Sequence, residues 1–440
     1  MNDTLHIKPP KFWKKDVNGE IVFLPKSKDA ASQKVKKRLD LVNLSEDQRV
    51  IYDALAAWCK DEKSRFISVG GYAGTGKSTL IAILARIALS EKKVAFCAFS
   101  GKAGNVLRQK FSEAGVILGT KHCGTIHSLI YTPIIDEKTG ALICFESVDK
   151  INENIVVVDE ASMIGKDIWT DLNRYGVKIL AVGDHGQLPP IGKDSVNLLE
   201  TPDLRLEKIH RQARGNPILE LATHVRNGGN PATFKSPDTN RVSIQSGVQS
   251  RRVRLLYKDK QEALNRAVLC YKNTTRNKIN RWARNFWGFY SILQPDDIVI
   301  CLRNVNIDGI RLFNGMRGIV REVKNDPISD LHLRATIDFP DDNIQLRNGR
   351  LFKPQFGFAK TLSTYEMAST AAKTEIKSWF QVGLLFDHAY CMTVHKAQGS
   401  QFEKVIVINE QGHPSETLEM RSRWLYTSVT RASKSIEICV

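Results

Sequence analysis

The stretch "GGYAGTGKST", Gly70–Thr79, decides how the chain is read. The apolar run "FISV" precedes it and "LIAILARIAL" follows it, so a strand, a glycine-rich turn and a helix start are joined there. Gly71–Ser78 matches G-x-x-x-x-G-K-[ST], a spacing that lets backbone N–H groups close on phosphate oxygens while the helix N-terminus adds partial positive charge. In this pattern Lys77 reaches the β and γ phosphates of ATP and Ser78 ligates Mg²⁺; Gly71, Gly74, Thr75, Gly76 and Thr79 complete the cradle.

Two later strand ends extend the same site. "IVVVDEAS", Ile155–Ser162, is a buried strand delivering two carboxylates to a sheet edge. Asp159 would hold Mg²⁺ through water and Glu160 would orient and deprotonate the attacking water. The same pair also suits a plain helix start capped by Ser162 and the acids. "AVGDHGQLPPI" ends the next strand, where Gln187 is a neutral group suited to sensing the γ-phosphate; Gly-Asp and Pro-Pro also make ordinary turns.

Around these motifs the chain alternates strand and helix. "RFISVGG", "KVAFCAFS", "NIVVVDE" and "VKILAVGD" all end in small or acidic residues, as parallel α/β strands do where they place ligand loops. Two interruptions break the pattern. "YTPIIDEKTGALICFESV", Tyr131–Val148, reads as a hairpin projecting from the first sheet. From about Asp297 to Phe386 the chain reads as a small antiparallel barrel followed by a helical stretch, "TYEMASTAAKTEIKSWF"; the sheet pattern resumes at "VGLLFDHAYCMTV" and "KVIVIN". "KFWKKDVNGEIVFL" near the N-terminus suits a further hairpin about Asn-Gly.

With 440 residues the chain exceeds one ordinary core, so two or three domains are expected. Lys plus Arg number 64 against 47 Asp plus Glu, a net charge of +17 that suits a polyanionic partner. No apolar run reaches membrane-spanning length and no export signal opens the chain. Its 8 cysteines form no C-x-x-C pair, which argues against a zinc ribbon and a disulfide framework. "HCGTIH", His122–His127, suits a structural or nucleic-acid role better than a metal site.

The ordered series from the glycine-rich loop through "AFSGKAGNVL", "TIHSLI", "VVVDEASM", "GDHGQLPP", "IHRQARGNPILELATHVRNG" and "TVHKAQGSQF" to "LYTSVTRA" resembles the superfamily 1 helicases of the RecD-like 5′→3′ branch. The resemblance covers roughly Leu44–Val440, is weak over residues 300–380 and is absent from the first 40. It implies an α/β fold of two RecA-like parallel-sheet domains in tandem. After a basic extension at 1–40, the first domain is expected at 41–215 with a β-hairpin pin at 129–149, and the second at 216–440 with an SH3-like accessory insertion at 300–383. It implies an ATP-dependent DNA helicase moving 5′ to 3′; the open alternative is a DNA-stimulated ATPase that remodels without separating strands.

The resemblance also implies residue roles. Gln48 of "LSEDQRVIYDAL" recognises adenine, although Ser45 to Gln48 also fits a capping box. Gln398 and Gly399 lie near the γ-phosphate, and Arg431 crosses the cleft as an arginine finger with Arg211 as second candidate; either arginine would otherwise be an ion-pair residue. The single strand is held by Ser100, Lys102, Asn105, Thr125 and His127 in the first domain. In the second it is held by Asn273, Arg276, Thr393 and His395. Phe145 on the pin is the base-contacting wedge, or else a core contact of the hairpin. The implied partners are single-stranded and forked duplex DNA, no membrane, and proteins of replication or recombination, for a monomer in the cytoplasm (the host's, if phage-encoded).

Overall fold

The computed structural model describes residues 13–15, 21–23, 41, 44–135, 142–190, 197–208, 215–247, 250–258, 263–307, 310–340, 344–413 and 415–440. Strands Trp13–Lys15 and Ile21–Phe23 pair antiparallel, as the Asn-Gly pattern predicts. The turn between them lies outside the described residues.

The first lobe is a six-stranded parallel sheet. In spatial order its strands are Leu204–Leu206, Phe66–Gly71, Lys178–Gly183, Ile155–Asp159, Val94–Ala98 and Cys123–Thr125. Val94–Ala98 is buried along its whole length, and Ile155–Val158 are buried likewise. Such unbroken apolar runs mark strands covered on both faces. Helices Glu46–Trp58, Lys77–Ile87 and Gly101–Glu113 contribute to the core on one face, and Ile126–Ile130 with Lys166–Asn173 to that on the other.

The second lobe is a five-stranded parallel sheet in the order Val242–Gln245, Ala432–Cys439, Phe402–Ile408, Arg266–Cys270, Cys391–Thr393. One of its cores reaches across the seam, taking in Leu188, Tyr72 and Ala73 of the first lobe beside Trp424, Leu425 and Tyr426. The ATP loop is thus packed against both lobes.

The inserted segment is an antiparallel sheet, Ile344–Phe352, His332–Phe339, Arg317–Asn325, Ile298–Cys301 and Phe386–His388 in order, with its own core. Its edges meet at one bridge, Leu351 with Leu384. It uses strands on both sides of the expected 300–383 window, because "VGLLFDHAYCMTV" is two strands and not one. Phe386–His388 closes the inserted sheet and Cys391–Thr393 returns to the parallel sheet. Arg317 stitches the two together, its guanidinium donating to the carbonyls of Leu264 (2.8 Å), Arg266 (3.0 Å) and Ala389 (2.7 Å). The helical stretch after the sheet forms Tyr365–Ala372 and Trp379–Val382, broken at Lys373 in the left-handed region. Strands Tyr131–Ile135 and Leu142–Ser147 pair antiparallel, with 136–141 outside the described residues.

Candidate nucleotide site and strand-binding face

Gly74 and Gly76 sit at φ 82° and 80°, a region that disfavours any Cβ, and Gly76 opens helix Lys77–Ile87. Lys77 folds back over the loop, Nζ donating to the carbonyls of Gly71 (2.5 Å) and Tyr72 (3.1 Å). Gln48 is buried against the loop: its Nε2 donates to the Thr75 carbonyl (3.0 Å) while its Oε1 accepts from Ser45 N (3.1 Å). Capping box and loop contact therefore coexist in one side chain. Ser78 Oγ accepts from Lys110 Nζ at 2.8 Å, a residue the motif pattern does not single out.

Glu160 follows Asp159 with φ 54°, ψ 39°, an uncommon post for a residue with a Cβ, and its N–H donates to Asp159 Oδ1 (3.0 Å). Burial pushes the Glu160 carboxyl up, the charges of Asp159 and Asp184 push the same way, and Arg431 and Lys77 oppose them. Two cations, one from each lobe, thus favour its charged form. Glu160 Oε2, Ser162 Oγ, Gln187 Oε1 and His185 Nδ1 are buried with no hydrogen-bond partner. Each such group costs about 1–3 kcal/mol if left so. Clustered beside a phosphate cradle, they form an acceptor-rich wall suited to a hydrated metal and an attacking water. Ser78 and Asp159 carry oxygens of the hard kind that Mg²⁺ takes. Among the described residues no group of three His, Cys, Asp or Glu offers another metal site.

The opposite wall comes from helix Leu418–Val429 and the loop after Cys391–Thr393. Arg431 is buried, with Nε on the Thr427 carbonyl (3.1 Å), one Nη on the Ser400 carbonyl (3.2 Å) and the other on Thr430 Oγ1 (3.0 Å). Gln398 Nε2 reaches the Leu188 carbonyl (3.2 Å), and Leu188 N donates to Thr427 Oγ1 (3.0 Å). Arg423 donates to the carbonyls of His185 (2.9 Å) and Gln187 (3.2 Å). Gly399 lies at φ 71°, where an added Cβ would stand 3.4 Å from Ser100 Oγ. The seam therefore brings together Lys77, Asp159, Glu160, Gln187, Gln398, Gly399 and Arg431. Arg211 lies outside the described residues.

The expected strand contacts are more dispersed. Ser100 caps helix Gly101–Glu113, Oγ accepting from Ala103 N (3.2 Å), and Asn105 Oδ1 accepts from Arg108 (3.1 Å). Thr125 caps Ile126–Ile130, and burial lowers the pKa of His127, whose ring lies 4.9 Å from Tyr131. Thr393 is the N-cap of the short helix Val394–Ala397 and His395 lies within it, Thr393 buried and His395 with its pKa lowered by burial. The side chains of Lys102 and Phe145 lie outside the described residues, though the Phe145 backbone pairs with Pro133. Asn273 opens helix Asn273–Phe286, where Glu410 already accepts from the N–H groups of Tyr271 and Lys272 (2.8 Å each). Arg276 holds a different post from the one expected. Its guanidinium is buried against Asp387 (3.2 Å) and the Phe358 carbonyl (2.7 Å), tying the helix to the inserted sheet. The inserted segment in turn touches both lobes: the Phe313 ring covers Gly101 of the first, and Asn314 Oδ1 accepts from Lys396 Nζ (3.0 Å) of the second.

Residues 43–246 match the family model described as an AAA domain, and residues 388–437 match that of the UvrD-like helicase C-terminal domain. The chain is 27% identical over 411 residues to the ATP-dependent RecD2 DNA helicase of Deinococcus radiodurans, which covers 88% of this chain and 48% of that protein. It is 23% identical over 445 residues to the ATP-dependent DNA helicase dda of Enterobacteria phage T4, covering 88% of this chain and 97% of that one. It thus spans about half the length of the first relative. In fold it is similar to the crystal structure of Pif1 helicase from Bacteroides in complex with ADP-AlF3 and ssDNA. There the TM-score is 0.50 at 19% identity, over 90% of this chain and 92% of that one. Among the described residues no helix is long and apolar enough to cross a membrane.

Proposed function

We propose that this chain belongs to the RecD-like branch of the superfamily 1 helicases, hydrolyses ATP in the seam between its lobes and uses the cycle to move 5′ to 3′ along single-stranded DNA and unwind duplex. One observation carries the reading: the phosphate-type loop bearing Lys77 and the loop bearing Gln187 are bonded to the second lobe through Tyr426, Thr427 and Gln398, so the site lies in the seam. Lys77 and the loop amides bind the triphosphate. Glu160 takes the proton of the water that attacks the γ-phosphorus, Gln187 holds that water, and Arg431 meets the charge that builds as ADP leaves. Bound Mg²⁺, held by Ser78 and Asp159, supplies charge neutralisation of the phosphates. ATP draws the two walls together and product release lets them part, so each cycle displaces one lobe against the other.

Net charge and the two-lobed face support a sequence-neutral grip on one strand. Within this reading the hairpin Tyr131–Ser147 is the pin, Phe145 its wedge, and the inserted sheet an SH3-like accessory barrel; one molecule suffices. The test is displacement from duplexes bearing either a 5′ or a 3′ single-stranded tail. Unwinding of the 5′-tailed substrate, lost in Lys77→Ala, is expected. Strand displacement only from the 3′-tailed substrate would refute the direction, and ATP turnover without displacement would leave a translocase.

A further inference from the structure

We infer that Tyr426 is a positioning residue through which the second lobe sets the geometry of two separate loops of the first. The inference rests on the ATPase reading above and deepens it. Tyr426 lies on helix Leu418–Val429 and is 1% exposed. Its hydroxyl accepts from Ala73 N at 2.8 Å and donates to Asp184 Oδ2 at 2.7 Å. Ala73 belongs to the loop that cradles the triphosphate. Asp184 heads the loop that carries Gln187: its Oδ1 accepts from Gly186 N (2.9 Å), and Gln187 Nε2 points at Oδ2 (3.5 Å). A single phenol thus joins the phosphate loop to the water-sensing loop, and it does so from the opposite lobe.

Packing alone does not account for this. The aromatic ring fills the seam as a phenylalanine would, but the two hydrogen bonds belong to the oxygen. The surroundings hold it in place: the Arg226 guanidinium stands 3.6 Å over the Tyr72 ring, His185 lies 4.2 Å from the same ring, and Tyr72 meets Tyr426 edge-on at 6.2 Å. Burial, reinforced by the Asp184 charge, pushes the phenol well above its ordinary pKa, so it remains a donor throughout the working range. When the lobes part, both bonds break together and both loops lose their common reference. When they close, both are reset at once. Correct placement of the phosphate loop and of Gln187 is therefore conditional on closure, which ties hydrolysis to the step that moves the lobes.

The test uses the full chain with Tyr426→Phe, which keeps the ring. Steady-state DNA-stimulated ATPase should lose about tenfold in kcat, the equivalent of one charge-assisted hydrogen bond, with KM and the affinity for a fluorescent ADP changed less than about twofold. In an Asp184→Asn background the same substitution should cost only about twofold, because the charged acceptor is gone. Unchanged kcat, or equal fold-losses in both backgrounds, would overturn the inference. Loss of ADP binding together with turnover would also overturn it, since the phenol would then hold the fold and not the loops. A wild-type chain with no ATPase removes the function and this inference with it; an active wild type with an indifferent Tyr426→Phe removes the inference alone.

Discussion

Gly101→Ala probes the contact between the inserted sheet and the first lobe. A Cβ built on Gly101 falls 2.0, 2.3 and 2.5 Å from Cγ, Cδ1 and Cδ2 of Phe313. Ordinary carbon contacts begin near 3.5 Å, so the ring must retreat by ~1.5 Å. It is held by a turn whose Phe313 N–H bonds Met316 Sδ (3.0 Å) and whose Asn314 binds Lys396 (3.0 Å). Overpacking of this kind costs about 1–3 kcal/mol. Against it stands the helix-forming advantage of Ala over Gly, at most about 1 kcal/mol and less at the first helical position. The clash wins, leaving a net loss of about 1 kcal/mol and a melting temperature lower by about 2–4 °C for a lobe of this size. In a Phe313→Ala background the clash disappears while the helix advantage stays, so Gly101→Ala should there be neutral or stabilising. Differential scanning of the four proteins measures the sign change directly. A loss of the same size in both backgrounds would show that Phe313 does not cover Gly101.

Glu160→Gln should retain ATP binding and lose about 10²–10⁴ in kcat, since a general base is removed while shape is kept; near-normal turnover in a quenched phosphate-release assay would refute its role. Asp297→Ala should cost about 3–5 kcal/mol in urea unfolding, because it strands a buried guanidinium that Asp297 binds at 2.8 and 3.0 Å. The exposed pair Arg49–Asp53 should be worth less than about 1 kcal/mol in the same assay, and comparable losses at both sites would refute the burial argument. Burial lowers the pKa of His127, His185, His332, His388 and His395 below the ordinary 6.5. The unfolded chain then binds more protons, so this stability is present above pH 6.5 and is lost as pH falls from there through the folded values. Glu160, with its carboxyl raised, pulls the other way as a single group. Melting should accordingly occur at lower temperature at pH 5.5 than at pH 7.5; equal or higher melting at pH 5.5 would contradict the sign.

What could be read from sequence was local. The loop Gly71–Ser78 and the placement of Asp159 and Glu160 at a strand end are legible because glycine spacing and a short apolar run encode the conformation within eight residues. Tyr426 with Asp184 was not legible, because the partners are 242 positions apart and either residue alone suits an ordinary core. Arg276 misleads for the same reason: its motif position suggests an outward grip, while Asp387, met only through the fold, draws it inward. The run around Ala389 reads as one stretch because apolar residues stand on both sides of the Asp387-His388 pair. Nothing in its periodicity marks the residue where the chain leaves one sheet for another.

That junction has a mechanical outcome. With Arg317 clasping carbonyls on either side of it, the inserted sheet cannot hinge freely on the lobe that bears it. It goes with that lobe as one piece, and Phe313 set against Gly101 braces it on the opposite lobe, one residue from where Ser100 meets Gly399.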